Sequence, residues 1–207
     1  MIPEKKRKTA KVLSLAVIIA GILVISGWIF DISVLKSVSP AWVTMKLTTA
    51  IAFFLSGIVL YFIVRSMEGE FEKAHVALSI SSLTIILLMG TLFFSALLKI
   101  PTGVDDLFIK EPAGAVKTVT PGRPSVPTML NFMLMASAGI FTMLNPDKLR
   151  SKLRIIGLIV GTTGAVAIVG YIINVPLLYY YIEGINSAIA FHTAILFVLL
   201  GMGLLCL

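Results

Sequence analysis

Very few side chains in this sequence could carry chemistry, and those that could lie beside long apolar stretches. Lys46, Arg123 and His192 each precede or begin such a stretch, and an alignment of the stretches places Lys46 and His192 at a similar depth. An amine, a guanidinium and an imidazole that meet could bind a small ligand, and the imidazole would make binding sensitive to pH. We therefore predict a shallow outer pocket that contains these three residues together with Asp31 and Asn174.

The same residues also have a structural interpretation. An ionisable group in a membrane is costly unless it is paired, so Lys46 could extend to the surface and pair with Asp31. His192 would then cap or hydrogen-bond a neighbouring helix. Tryptophan and tyrosine favour the membrane interface, which predicts an anchoring belt that contains Trp28, Trp42, Tyr179, Tyr180 and Tyr181.

Patterns typical of catalytic or metal sites are absent from the sequence. Its two histidines, His75 and His192, fall on opposite sides of the membrane in the predicted topology, and its one cysteine is Cys206. Asp105 and Asp106 are adjacent carboxylates in a segment without a helical pattern, which gives them no fixed geometry for acid–base chemistry. We therefore predict a protein that is not an enzyme and that needs no metal or cofactor.

The composition places these residues in a membrane protein. The 207 residues are 58% hydrophobic and 13% charged, with a mean hydropathy of +1.03. Soluble domains have about 45–50% apolar and about 25% charged residues. The net charge of +7 is then a signature of membrane topology, and we expect no nucleic-acid partner. We predict a single membrane domain over residues 1–207 that contacts the lipid bilayer.

Six uncharged stretches are long enough to cross a bilayer, which takes about 20 residues. They predict an all-α protein with transmembrane helices over approximately 11–31, 43–65, 75–99, 125–145, 153–175 and 187–207. Pro176 is expected to end the fifth helix, and residues 100–124 form a long outer loop that could act as a lid. Eleven Lys and Arg residues fall in the predicted inner segments and six in the outer ones, which predicts that both termini lie in the cytoplasm.

The even-numbered helices repeat one pattern, in which a Thr, a Phe and a small residue are spaced four residues apart. The three copies are Thr49, Phe53 and Gly57; Thr128, Phe132 and Ala136; and Thr193, Phe197 and Gly201. This spacing places the side chains of a copy on one helix face, which we expect to point inward and to serve helix packing. The pattern predicts three tandem helical hairpins over approximately 10–66, 74–145 and 152–207, related by a pseudo-threefold axis along the membrane normal.

The outer ends of the odd-numbered helices match as well. Residues 27–32 (Gly-Trp-Ile-Phe-Asp-Ile) align with 170–175 (Gly-Tyr-Ile-Ile-Asn-Val) and, more weakly, with 95–100 (Ser-Ala-Leu-Leu-Lys-Ile). This alignment makes three residues equivalent, namely Asp31, Lys99 and Asn174. At the start of the even-numbered helices, the equivalent residues are Lys46, Ser125 and Ala190.

Several of these motifs resemble the N-terminal membrane-integral input region of bacterial and archaeal PAS-containing sensor histidine kinases and diguanylate cyclases. The resemblance is carried by Gly27-Trp28-Ile29-Phe30-Asp31-Ile32, Val43-Thr44-Met45-Lys46, Pro121-Gly122-Arg123 and Phe191-His192-Thr193-Ala194. It implies a six-helix sensor that passes a stimulus to cytoplasmic domains attached after the last helix. Here Leu207 ends the sequence on that helix, without a phosphoacceptor histidine segment or a nucleotide-binding motif. The output is therefore expected from a further domain or a partner protein.

These features predict a sensory input module of the cell (cytoplasmic) membrane. It would detect an unknown extracytoplasmic or membrane signal and transmit it through its last helix to a cytoplasmic signalling domain or partner protein, and it could form a homo-oligomer. A structural or accessory subunit of a larger membrane complex is the main alternative. A small-solute transporter or channel is the third, although the middle of the helices has almost no ionisable group that could couple ion movement.

Overall fold

The computed structural model of the protein describes residues 3–100, 102–109, 111, 114–144 and 147–207. Over these ranges the chain is helical and forms no β-strand, only one isolated bridge between Ile182 and Asn186. The prediction of an all-α protein is therefore confirmed. The α-helices are α1 (Glu4–Ile29), α2 (Ser33–Lys36), α3 (Leu47–Met67), α4 (Phe71–Leu98), α5 (Val126–Leu144), α6 (Leu149–Ile172) and α7 (Phe191–Leu205). Short 3-10 helices cover Val104–Asp106 and Pro176–Tyr179.

Five of these helices, α1, α3, α4, α5 and α6, are long and apolar enough to cross a membrane. They indicate a multi-pass membrane protein. The sixth predicted span corresponds to α7, which is apolar but has only 15 residues. It begins at Phe191 instead of 187 because the preceding backbone is bonded elsewhere: the N–H groups of Ala188 and Ile189 donate to the carbonyls of Lys117 and Tyr179 at 3.1 and 3.0 Å.

The other boundaries move for similar local reasons. Helix α3 starts at Leu47 instead of 43, since the Met45 N–H donates to the Lys36 carbonyl at 2.9 Å. Helix α6 ends at Ile172, so Pro176 opens the following 3-10 helix and does not itself end the span. Helix α1 begins at Glu4, because the Lys and Arg residues ahead of the apolar stretch are good helix formers and extend it.

The six long helices form a central group of three and a peripheral group of three. Helices α3, α5 and α7 form the centre, where the rings of Phe53, Phe132 and Phe197 meet. Their centroids are 4.7 Å (Phe53–Phe132), 4.9 Å (Phe53–Phe197) and 5.2 Å (Phe132–Phe197) apart. We call these three rings the phenylalanine cluster. Around this centre α1 packs on α3, α4 on α5 and α6 on α7, and the peripheral helices expose apolar side chains compatible with lipid contact.

The peripheral helices α1, α4 and α6 end in the same way. One or two residues beyond each of these helices, the backbone is left-handed, with φ of 55° at Asp31, 56° at Lys99 and 55° at Asn174. The N–H of the following residue donates to the carbonyl five residues earlier. These bonds join Ile32 to Gly27, Ile100 to Ser95 and Val175 to Gly170, at 2.8, 3.2 and 2.9 Å. This is the Schellman cap. It lies at the end of the bundle where α3, α5 and α7 begin, which we call the outer end.

The repeated Thr, Phe and small residue do not all face the axis. A Cβ added at Gly57 would lie 2.6 Å from the side chain of Ile18 on α1, and one at Gly201 would meet α6. Four residues advance an α-helix by about 400°, so each step along the pattern turns the side chain by about 40°. The Phe therefore points to the axis, whereas the glycines of α3 and α7 lie against the peripheral helix of the same hairpin.

We predict that Gly201→Ala separates α6 from α7 and lowers the free energy of unfolding by about 1–3 kcal/mol, as overpacking does. The added Cβ would lie 2.5 Å from the Cα of Gly161 and 2.6 Å from the Gly157 carbonyl oxygen. Gly90→Ala is the matched control, because a Cβ there has no heavy atom within 4 Å. Thermal unfolding in detergent compares the two. Equal midpoints would show that the α6–α7 contact is looser than described.

Candidate functional site

The outer ends of α3, α5 and α7 begin around one point. The first hydrogen bond inside each helix is equivalent. The backbone N–H groups of Ala50, Met129 and Ala194 donate to the carbonyls of Lys46, Ser125 and Ala190, respectively, at 3.0, 3.1 and 3.0 Å. A small cavity of about 10 Å³ lies between these starts, and we call it the axial cavity. Its lining includes Lys46, Ser125 and Ala190 together with Thr49, Thr128 and Thr193. The sequence alignment therefore groups residues that lie together in space.

Lys46 is held there by a carboxylate from the outer loop. Its Nζ lies 2.6 Å from Glu111 Oε1 and 2.8 Å from Thr118 Oγ1. The other carboxylate oxygen, Oε2, accepts the N–H of Gly122 at 2.7 Å. The side chains of Lys46 and Glu111 are only 4% and 2% exposed, and we call them the buried ion pair. A carboxylate at this place also favours the start of α3, because a helix N-terminus carries partial positive charge.

The outer loop is bonded to α3, to α4 and to the segment before α7. It reaches α3 through the buried ion pair and through Thr48, whose hydroxyl lies 3.3 Å from the Gly122 carbonyl. It reaches the segment before α7 through the N–H of Val119, which donates to the Ser187 hydroxyl at 2.9 Å. Just after the loop, the N–H of Val126, the first residue of α5, donates to the Asn186 side chain at 3.0 Å. The loop is bonded to α4 through Arg123, whose guanidinium donates to the Ser95 hydroxyl at 2.8 Å. The loop therefore ties the outer ends of the helices together.

A larger cavity of about 540 Å³ lies beside the buried ion pair, and we call it the outer pocket. Trp28, Trp42, Lys36 and Glu111 are among the residues that line it. Trp28 Nε1 donates to the Met45 carbonyl at 2.9 Å. The ring of Trp42 packs on Phe191, the first residue of α7, with centroids 4.8 Å apart. The pocket therefore touches the chain next to the starts of α3 and α7.

The structure does not bring Lys46, Arg123 and His192 into one pocket. Lys46 belongs to the buried ion pair. His192 lines a separate groove of about 230 Å³ between α1 and α7, where neither ring nitrogen has a hydrogen-bond partner among the described residues. Arg123 donates to both carboxylate oxygens of Asp105 at 2.9 and 2.8 Å, which raises the pKa of Arg123, and to the Ser95 hydroxyl at 2.8 Å.

The remaining predicted ligand residues lie at the surface. Asp31 is bonded to Lys36 at 2.5 Å, with its side chain 92% exposed, and this bond lowers the pKa of Asp31. The alternative pairing of Asp31 with Lys46 therefore does not form. Asn174 is an exposed residue whose structural role is the cap of α6. Each of the five residues lies in different surroundings, and a common ligand site formed by them stays a prediction.

Two features of the site were missed from the sequence. Glu111 lies 65 residues from Lys46, in a loop without periodicity, so no local pattern pairs them. The signal that could have found it is chemical: a lysine at a position where the equivalent residues are Ser125 and Ala190 needs a carboxylate if it is buried. The sequence predicts Trp28 and Trp42 in an interface belt and gives no sign that both line the outer pocket.

Comparison with protein-family models, with curated proteins and with solved structures gave no match to this chain. The resemblance to sensor input regions therefore rests on the sequence motifs that carry it.

We predict that Glu111→Gln lowers the free energy of unfolding by about 3 kcal/mol or more, because it leaves the buried Lys46 ammonium without a countercharge. The double variant Lys46→Met/Glu111→Leu should recover most of this loss, since it removes both charges. Asp31→Asn is the control, as it breaks an exposed ion pair at a left-handed position that Asn tolerates. Chemical denaturation in mixed micelles measures all three. A neutral Glu111→Gln, or a double variant no better than the single, would contradict the assignment.

Proposed function

We propose that the protein is a membrane-embedded sensory module in which a small ligand binds the outer pocket and changes the packing of the central helices. One observation carries this proposal: two residues of the pocket wall contact the starts of two central helices. Glu111 bonds Lys46, directly before α3, and Trp42 packs on Phe191, the first residue of α7. A ligand in the pocket would touch both. A ligand in the pocket and the starts of α3 and α7 would therefore contact the same two side chains.

The lining of the pocket suggests the kind of ligand. Its volume of about 540 Å³ lies in the range of small-molecule sites, roughly 300–1,000 Å³. Two indole rings offer flat apolar surface, and Lys36, Glu111 and nearby hydroxyl groups offer polar contacts. Lys36 Nζ lies 5.1 Å from the centre of the Trp28 ring. This lining suits a small amphipathic molecule with an aromatic or apolar body.

The transmission step is a population shift. A ligand can change the balance between two packings of the bundle only if it binds one of them better. In the outer pocket, such a preference would act through the buried ion pair on α3 and through the Trp42–Phe191 contact on α7. The proposed response is a small displacement of α7 that reaches its inner end near Cys206.

The proposal includes six spans arranged as three hairpin copies about a pseudo-threefold axis. The equal caps at Asp31, Lys99 and Asn174 and the phenylalanine cluster support it. The 15 residues of α7 cover about 22 Å, and the buried, non-helical residues 187–190 lengthen this segment. Together they match a hydrocarbon core of about 30 Å.

We further propose that both termini lie in the cytoplasm of the cell and that the signal leaves through the inner end of α7. The receiver would be a cytoplasmic signalling domain or partner protein, within a single copy or a homo-oligomer. The excess of basic residues in the inner segments supports this orientation. A transport role would require the phenylalanine cluster to open, because its three rings are in contact on the axis below the axial cavity.

We expect that a panel of small amphipathic molecules contains compounds that raise the thermal unfolding midpoint of the protein in detergent. Trp42→Ala should abolish this increase, since it removes one aromatic wall of the outer pocket. Phe94→Ala is the matched control, because Phe94 is an exposed aromatic residue on the lipid-facing side of α4. A fluorophore on Cys206, the only cysteine of the sequence, reports the inner end of α7 in the same samples. Stabilising compounds should change its emission.

Two results would count against the proposal. A compound that stabilises Trp42→Ala as well as the parent does not bind the outer pocket. A compound that stabilises the parent through Trp42 but leaves the Cys206 signal unchanged binds without transmission. In the second case, copurification with a stoichiometric partner protein would favour an accessory subunit of a larger complex.

A further inference from the structure

Among the described residues that line the outer pocket, Lys36 is the one with a positive charge. Its Nζ lies 5.1 Å from the centre of the Trp28 ring, which belongs to the same wall. The ammonium is bonded to Asp31 Oδ1 at 2.5 Å, and Asp31 is not one of the lining residues. The cation therefore belongs to the pocket, whereas its partner lies outside.

The bond between Lys36 and Asp31 is easy to replace. The Asp31 side chain is 92% exposed, so water solvates its carboxylate fully if the bond breaks. Exposed ion pairs contribute little to stability for this reason. The Lys36 side chain is only 15% exposed and gains more from keeping an anionic partner. A carboxylate that a ligand brings into the pocket can therefore take the place of Asp31.

The other charged residue of the lining, Glu111, has its carboxylate oxygens occupied. Oε1 is bonded to Lys46, and Oε2 accepts the Gly122 N–H. The Glu111 side chain is 2% exposed, and the Lys46 ammonium neutralises its charge. Glu111 therefore offers no free oxygen to a cationic ligand, and Lys36 would repel one. The charges of the lining favour an anion.

We infer that the outer pocket selects a small aromatic carboxylate, which packs on the indole rings and displaces Asp31 from Lys36. This inference rests on the proposed function, in which the outer pocket binds a ligand, and it adds the chemical class of that ligand. Aromatic rings pack well on indole, and one compact ammonium group suits one carboxylate. Ser33 and Thr44 also line the pocket and have hydroxyls that can donate to a second carboxylate oxygen. Asp31 is then an internal competitor of the ligand.

Tryptophan fluorescence measures binding at this place, because Trp28 and Trp42 are the two tryptophans of the sequence and both line the outer pocket. The full chain in zwitterionic lipid nanodiscs is titrated with 3-phenylpropionate and with 3-phenylpropionamide at pH 7. The two compounds have nearly the same size, but only the first is charged. We expect the carboxylate to bind at least about threefold more tightly, since it bonds a charged donor.

Two variants separate the cation from its competitor. Asp31→Asn should tighten binding of the carboxylate by about two- to fivefold, the strength of an exposed ion pair, and leave the amide unchanged. Asn tolerates the left-handed backbone at this position. Lys36→Met removes the ammonium and keeps an unbranched side chain beside Trp28, so the two compounds should bind equally. Glu183→Gln is the matched control, because it removes another exposed carboxylate from the segment between α6 and α7.

Three results overturn the inference. The parent protein could bind the two compounds equally, Asp31→Asn could bind the carboxylate no better than the parent, or Glu183→Gln could gain as much as Asp31→Asn. The last result would assign the effect to overall surface charge. If Lys36→Met fails to fold, Asp31→Asn and Glu183→Gln decide.

The same titrations keep this inference apart from the proposed function. If both compounds bind equally and Trp42→Ala abolishes their binding, the outer pocket remains the ligand site and only the selection of carboxylates is wrong. If neither compound binds, the inference is wrong, and the panel of amphipathic molecules with the fluorophore on Cys206 tests the proposed function on its own.

Discussion

The ammonium group of Lys46 is buried at the outer end of the bundle, and a buried charge needs a partner. Glu111 supplies it, which fixes the outer loop over the point where α3, α5 and α7 begin. The same carboxylate binds the Gly122 N–H, and the loop then continues directly into α5. The buried ion pair therefore decides where the loop lies, and the loop forms part of the outer pocket wall.

The proposed threefold arrangement makes this asymmetry informative. In that arrangement, the core of the bundle would be built from equivalent residues, which the phenylalanine cluster and the matched caps support. Only one of the three equivalent start positions is a lysine, and the others are Ser125 and Ala190. The outer pocket lies next to that lysine. Under the proposed function, the ligand would therefore bind at the place where the predicted copies differ.

Much of the fold follows from the sequence because local forces decide it. Long uncharged stretches can satisfy their backbone in a bilayer only as helices. The predicted bounds therefore agree with the helices to within about four residues, except that α1 begins seven residues earlier than predicted. Equivalent residues such as Asp31 and Asn174 have the same cap because the local sequence around them is similar. The sequence predicts helix for the residues just before α3 and α7, because the bonds that hold them non-helical reach Lys36, Lys117 and Tyr179 in other parts of the chain.

The candidate site depends on long-range pairing and was harder to predict. The sequence pointed to Lys46 as an unusual residue but could not show that Glu111 neutralises it. It also predicted that His192 and Lys46 lie at a similar depth in the membrane. Depth does not show to which side of its helix a side chain points. In the structure, His192 lines the groove toward α1, whereas Thr193 lines the axial cavity. One residue along a helix turns the side chain by about 100°, and this separates the two.

The central claim is that the buried ion pair holds the outer ends of all three central helices through the loop. Hydrogen–deuterium exchange of Glu111→Gln against the parent protein in micelles tests it most directly. The account predicts faster exchange in the first turns of α3, α5 and α7, since the loop is bonded to α3 and to the segment before α7 and leads into α5. The inner ends of these helices should exchange as before. Faster exchange confined to α3, or no change at all, would contradict the account.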